Sequence, residues 1–138
     1  MKNKLRNKFY YKFEDLYTFI QSITPEIRIK GYKLIYGIPR GGLIPAIMLS
    51  HSTGIPVIVS QAFPPVPDKT KILVVDDIFD TGETINRCLK DCSVFTSNVN
   101  VMCPIVRVNV TNDYEDVVSY FDKELYDDRY VVFPWEVE

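Results

Sequence analysis

The residues best suited to chemistry form the run Asp76-Asp77-Ile78-Phe79-Asp80-Thr81-Gly82-Glu83-Thr84. Two adjacent carboxylates repel each other, and such a pair is tolerated where a metal, a hydroxyl-rich ligand or an arginine neutralises it. Directly afterwards, Asp80 to Thr84 opens a predicted helix, where unpaired backbone N–H groups, a permissive glycine and two threonine hydroxyls can cradle a phosphate while Glu83 tilts outward. Carboxylates for sugar hydroxyls beside a helix start for phosphate describe a ribose 5-phosphate pocket. Taken singly, each feature has a plain structural reading: Asp76 and Asp77 end a strand, and Thr81 caps a helix. Their conjunction within residues 72–84 favours the site. Two other phosphate chemistries are excluded, because Asp77 and Asp80 do not form Asp-x-Asp and no Gly-Lys-Ser or Gly-Lys-Thr occurs.

These residues need elements to hold them. Ile72-Leu73-Val74-Val75 is an apolar run of the kind found in strands buried on both faces. Leu34-Ile35-Tyr36 is a second strand, closed by a loop with Gly37, Pro39, Arg40, Gly41 and Gly42, and Leu43 to His51 then reads as a helix ended by Gly54. Phe13, Leu16, Tyr17 and Ile20 mark one face of a first helix, and Thr24-Pro25 predicts the start of a second, short one ending near Gly31. Ile55–Val59 and Val99–Val106 read as strands, Ile85 to Cys92 as a helix, and Val117–Phe121 and Tyr130–Phe133 as shorter β segments. Pro64, Pro65 and Pro67 make 61–70 an exposed loop able to move.

Strands alternating with helices predict an α/β fold with a central, mainly parallel twisted sheet flanked by helices. Ligands of such sheets bind beyond the carboxyl ends of the strands, so the Gly37–Gly42 and Asp76–Thr84 loops are expected to share one site.

Composition narrows the chemistry. The chain has 138 residues and 46% hydrophobic content, enough for one domain with its own core and no linker to split it. A single histidine, His51, excludes paired-histidine zinc sites, and it reads as a helix-end residue. Cys88, Cys92 and Cys103 are too few for a four-cysteine zinc site and read as reduced, packed thiols. A net charge of −2 gives no general pull toward DNA or a membrane. Residues 1–12 carry Lys2, Lys4, Arg6, Lys8 and Lys12 without an acid, whereas residues 113–138 hold nine acids against Lys123 and Arg129. The basic stretch reads as a solvated tail, with an RNA- or subunit-contacting arm as the alternative. No secretory signal and no apolar run of membrane-spanning length is read, so a soluble, cytoplasmic protein is expected.

Residues 72–84 resemble the ribose-phosphate motif of the type I phosphoribosyltransferases: hydrophobic strand, acidic pair, then Asp-Thr-Gly-x-Thr. The segment Tyr36-Gly37-Ile38-Pro39-Arg40-Gly41-Gly42-Leu43-Ile44-Pro45-Ala46 is similar to that family's pyrophosphate loop, as it stands in bacterial xanthine-guanine enzymes. The ending Asp128-Arg129-Tyr130-Val131-Val132-Phe133-Pro134-Trp135-Glu136 resembles their base-binding tail, so the resemblance spans residues 34–136. It implies that fold with a small C-terminal base-binding hood, Mg²⁺ as cofactor, phosphoribosyl diphosphate and a nucleobase as partners, and a homodimer or homotetramer. The implied reaction transfers phosphoribose to guanine, xanthine or hypoxanthine with loss of pyrophosphate. Implied roles are Arg40, Gly41 and Gly42 for pyrophosphate; Asp76 and Asp77 for ribose hydroxyls and metal; Thr81, Gly82, Glu83 and Thr84 for the 5-phosphate; and Asp80 as acid/base. Tyr130, Val131 and Glu136 are implied at the base, although Tyr130 also fits an ordinary strand and Glu136 a solvated chain end. A cis Pro39–Arg40 peptide is implied as well.

The sequence departs from the family at two places. The 6-oxopurine enzymes read the purine oxygen with a lysine after the strand corresponding to 99–106; here Arg107 is the candidate substitute. The closing loop, often Ser-Tyr in the family, is here the proline-rich 60–71 with Ser60-Gln61. Two other readings therefore stand beside the enzyme: a nucleotide- or diphosphate-sensing protein with weak or no catalysis, and a transferase for a different acceptor.

Overall fold

The computed structural model describes residues 7–109 and 113–137. In chain order its elements are β1 (Lys8–Tyr10), α1 (Phe13–Ile29), β2 (Leu34–Gly37), α2 (Leu43–Thr53), β3 (Val57–Ile58), β4 (Ile72–Val75), β5 (Ile78–Phe79), α3 (Glu83–Cys92), β6 (Val99–Met102), β7 (Ile105–Arg107), α4 (Tyr114–Val117), β8 (Lys123–Leu125) and β9 (Tyr130–Val132). A four-stranded sheet of order β3-β2-β4-β6 is parallel throughout. The α/β expectation holds.

Alternation along β4 shows how both faces are filled. Leu73 and Val75 join Leu16, Ile20, Ile35 and Leu49 in one buried cluster that takes in α1 and α2. Ile72 and Val74 point the other way, to Tyr36, Ile85, Cys88, Cys92 and Val101 in a cluster that takes in α3. A strand side chain alternates faces every residue, so the all-apolar run of β4 is what a sheet covered on both sides requires. All three cysteines are buried free thiols.

Beyond the carboxyl end of β4 the chain passes through Asp76 and Asp77 into β5, the first strand of a smaller parallel sheet, β5-β7-β8. A third, two-stranded sheet pairs β1 with β9 in parallel. Lys8, read above as part of a solvated tail, thus lies in a strand; Lys2, Lys4 and Arg6 fall outside the described residues. Phe9 packs against the main core and carries Arg129 over its ring at 5.0 Å, which explains the pairing of so polar a segment.

Three other expectations change. The predicted break at Thr24-Pro25 is absent, and one helix runs from Phe13 to Ile29. The Thr24 hydroxyl donates to the Ile20 carbonyl at 2.7 Å, and the buried stripe Leu16, Ile20, Thr24, Ile27 continues through the proline, so packing overrides its lost N–H. The strand expected over Val99–Val106 is divided at Cys103-Pro104 into β6 and β7, which enter different sheets, as a proline inside a ladder dictates. The β segment expected over Val117–Phe121 is reduced to one bridge, Met102 to Tyr120, after the short α4.

Candidate active site

The loop after β2 is folded onto the end of β4. Ile38 donates its N–H to Val75 O at 2.9 Å, and Gly42 donates to Ile38 O at 2.9 Å. The Pro39–Arg40 peptide is cis. A Cβ at Gly42 would strike the Val75 carbonyl, and one at Gly41 would strike the Asp77 carboxylate, so this close approach requires glycine at both positions. The two sequence motifs therefore meet side by side.

Asp76 and Asp77 occupy the seam between the two larger sheets. Asp76 donates its N–H to Met102 O at 3.1 Å, Ile105 donates to Asp77 O at 3.4 Å, and the Asp76 carboxylate accepts the Asp77 N–H at 2.9 Å. Asp76 is buried, at 7% exposure. Burial, then the charge of Asp77, pushes its carboxyl up to about 8. Burial also raises Asp77 above the ordinary carboxylate range. A buried and a half-buried carboxylate in mutual repulsion fit a divalent cation, and an all-oxygen donor set suits Mg²⁺ over a thiophilic metal. The neighbouring Cys103 thiol is raised well above its usual range by burial and stays protonated.

A cleft of about 290 Å³ opens over this pair, lined by Ile38, Pro39, Gly41, Asp76, Asp77 and the whole run Ile78 to Ile85. At its far side Gly82, with φ of 86°, precedes α3, and a Cβ there would press on the Phe79 ring. The Thr81 hydroxyl accepts the Glu83 N–H at 3.3 Å across the turn that enters the helix, whose N-cap position is Gly82 and not Thr81 as the sequence suggested. A second cavity, about 810 Å³, shares Gly41 and Asp77 with the first and is lined further by Arg40, Leu43, Ile44, Trp135 and Glu136. Arg40 is exposed at that rim.

The candidates at the end of the chain divide. Tyr130 donates its hydroxyl to Glu136 at 3.2 Å, and burial, opposed by that hydrogen bond, raises the Glu136 carboxyl. Val131 is buried, at 5% exposure, and its side chain belongs to the core. Trp135, which sequence reasoning quoted in the tail motif but did not single out, stacks on Phe133 with centroids 5.0 Å apart and lines the larger cavity. Its signal was available: it is the chain's one tryptophan, in a partly exposed tail. Arg107 is engaged within the protein. Its Nη1 donates to Asp127 O at 2.6 Å, Nη2 to Arg129 O at 2.9 Å, and Nε lies 3.2 Å from Asp80 Oδ1.

Segment 61–70, expected as an exposed loop able to move, is for the most part exposed, but it is pinned at its two ends and at Phe63. Tyr36 donates its hydroxyl to Ser60 O, Asn98 donates to Lys69 O, and Thr96 donates to Thr70 O, at 2.9, 3.1 and 2.8 Å. Phe63, 8% exposed, sits between Tyr36 and Phe95.

The fold is shared with solved structures. The purine phosphoribosyltransferase of Pyrococcus horikoshii superposes with a TM-score of 0.82 at 24% identity, covering 95% of each chain. The chain has the type I phosphoribosyltransferase fold. A Neisseria gonorrhoeae protein solved with bound ppGpp shares that fold at a TM-score of 0.78 and 21% identity, over 96% of this chain and 90% of the other. In sequence, the chain is 24% identical to the xanthine-guanine phosphoribosyltransferase of Idiomarina loihiensis over 149 aligned positions, 94% of this chain and 88% of that one. No protein-family model matches the chain. The resemblance read from residues 34–136 is thus borne out at the level of the fold, which sets the 37–42 and 76–84 loops around one cleft and the tail at the adjoining cavity. No helix among the described residues is long and apolar enough to cross a membrane.

Proposed function

We propose that the protein transfers the 5-phosphoribosyl group from phosphoribosyl diphosphate to a purine base, guanine, xanthine or hypoxanthine, in a Mg²⁺-dependent reaction that releases pyrophosphate. The observation that carries this reading is the abutment of Gly41 on the Asp77 carboxylate, which makes the pyrophosphate and ribose motifs two walls of one cleft.

In this mechanism Thr81, Gly82, Glu83 and Thr84 hold the 5-phosphate, through hydroxyls and the backbone N–H groups at the start of α3. Asp76 and Asp77 accept from the ribose 2- and 3-hydroxyls and are the residues that would hold Mg²⁺, which supplies charge neutralisation to the departing diphosphate. Arg40, with the amides of Gly41 and Gly42, grips the diphosphate as the anomeric carbon gains oxocarbenium character. Asp80 manages the proton at the purine N7. Tyr130 stacks on the base, the Val131 backbone borders it, and Glu136 accepts from a 2-amino group.

The test mixes protein, Mg²⁺ and phosphoribosyl diphosphate with single purine and pyrimidine bases and follows mononucleotide formation. Product from a 6-oxopurine supports the reading; no product from any base while the diphosphate still binds removes it.

A second reading, a nucleotide- or diphosphate-sensing protein with weak or no catalysis, is favoured by the strapped 60–71 segment, since a lid that closes over reactants must be free to move. The ppGpp in the Neisseria relative is consistent with it. The same assay separates the two, because a sensor binds the diphosphate without making product. A transferase for a different acceptor is a third reading, favoured by Arg107 being occupied by neighbouring protein groups.

A further inference from the structure

Arg107 joins three segments that are far apart in the chain. It ends β7, directs Nη1 and Nη2 to the carbonyls of Asp127 and Arg129, and brings Nε to 3.2 Å from the Asp80 carboxylate. Its side chain is 13% exposed, whereas that of Asp80 is 52% exposed. The loop it grips leads straight into β9, whose first residue is Tyr130. Asp127 folds back in turn, its carboxylate accepting from Arg129 Nε at 3.0 Å and from the Arg129 N–H at 3.1 Å. A planar guanidinium can reach all three acceptors at fixed angles; an ammonium, a point charge on a flexible stem, cannot.

We propose that Arg107 is a positioning residue that locks the acid/base carboxylate Asp80 to the loop carrying the base-stacking Tyr130, so that one side chain sets the distance between proton transfer and base. This assigns it a different task from direct reading of the purine oxygen, and it rests on the transfer reaction proposed above. The base then meets a hood whose register to Asp80 is fixed before it arrives.

Arg107→Ala and Arg107→Lys distinguish the two tasks. Both variants are expected to bind phosphoribosyl diphosphate with Mg²⁺ within about threefold of the parent, which also shows that they fold, because the clamp lies outside the donor contacts. Both are expected to lose about 100-fold in kcat and to raise KM for the base severalfold, as proton-transfer geometry is worth roughly 10²–10⁴-fold. Residual activity is expected to keep the parent's preference between hypoxanthine and adenine. Hydrogen exchange at amides 126–130 is expected to quicken at least tenfold in both. Parent-like kcat and KM in Arg107→Lys, or loss of the hypoxanthine preference in Arg107→Ala, would mean that the cation touches the base and overturns the proposal. Unchanged exchange at 126–130 overturns it too. If the parent turns over no base, the transfer reading fails by itself, while the exchange measurement still reports on the clamp.

Discussion

Phe63 meets Tyr36 edge to face, with ring centroids 5.2 Å apart and planes at 75°, so the proline-rich segment is anchored near its start on the central sheet. Phe63→Ala removes an aromatic anchor from a buried site, and such truncations cost about 3–5 kcal/mol. The variant is expected to lose about 3 kcal/mol in urea unfolding and to become cleavable within 61–70 under limited proteolysis. Equal resistance to protease in parent and variant would show that the three hydrogen bonds hold the strap without the ring.

Gly41 is the position at which the two motifs cannot be separated. Alanine there is expected to displace the Asp77 carboxylate, weakening phosphoribosyl diphosphate binding by at least about tenfold, on the order of 1.4 kcal/mol, with the unfolding midpoint little changed. Calorimetric titration in Mg²⁺ measures the first quantity and a thermal melt the second. Arg40→Ala, at the exposed rim, is expected to weaken donor binding by a smaller factor, because only one of the diphosphate's partners is lost.

Asp80→Asn keeps the shape of the side chain and removes its proton chemistry. Turnover is expected to fall about 100-fold or more, with donor affinity nearly constant. Single-turnover mixing with a saturating base is the decisive measurement. Unchanged turnover would remove Asp80 from the acid/base role.

The acidic pair imposes a pH dependence whose sign follows from burial. The Asp76 carboxyl is raised from 3.8 to about 8, so between those values the unfolded chain has shed a proton that the folded chain retains. Stability of the ligand-free protein therefore falls as pH rises across that window and levels off above it. Asp76→Asn is expected to flatten this decline and to raise the melting midpoint at pH 8 by about 5 °C or more. Melts of the two proteins at pH 5, 6.5 and 8 give the difference; parallel curves would mean that Asp76 is ionised throughout. Binding of Mg²⁺ with the donor is expected to strengthen over the same window, as the proton it must displace leaves.

The meeting of the 37–42 and 76–84 loops was legible because local chemistry and fold agree there. A strand apolar on both faces, a carboxylate pair and a helix start are each encoded within a few neighbouring residues, and a parallel sheet brings such loops to one edge. What could not be read depends on partners distant in sequence. Nothing around Lys8 to Tyr10 announces a strand, since its partner is Tyr130 to Val132. Thr24-Pro25 looked like a helix boundary because the packing of Ser52 and α2 against Thr24 is invisible locally. The prolines of 61–70 correctly excluded helix, yet they carry no sign that Phe63 would be buried. Arg107 was placed near the base by resemblance, whereas two of its three acceptors are carbonyls that no side-chain pattern reveals.

The parallel pairing of β1 with β9 gives the molecule an order of assembly. The strands β2, β4 and β6 are all made well before β9, whose strand partner among the described residues is β1, more than a hundred residues earlier in the chain. Lys8 to Tyr10 cannot enter that sheet until Tyr130 to Val132 has been made. The ends of β2, β4 and β6 can therefore come together in a nascent chain whose Tyr130 and Glu136 have yet to be made.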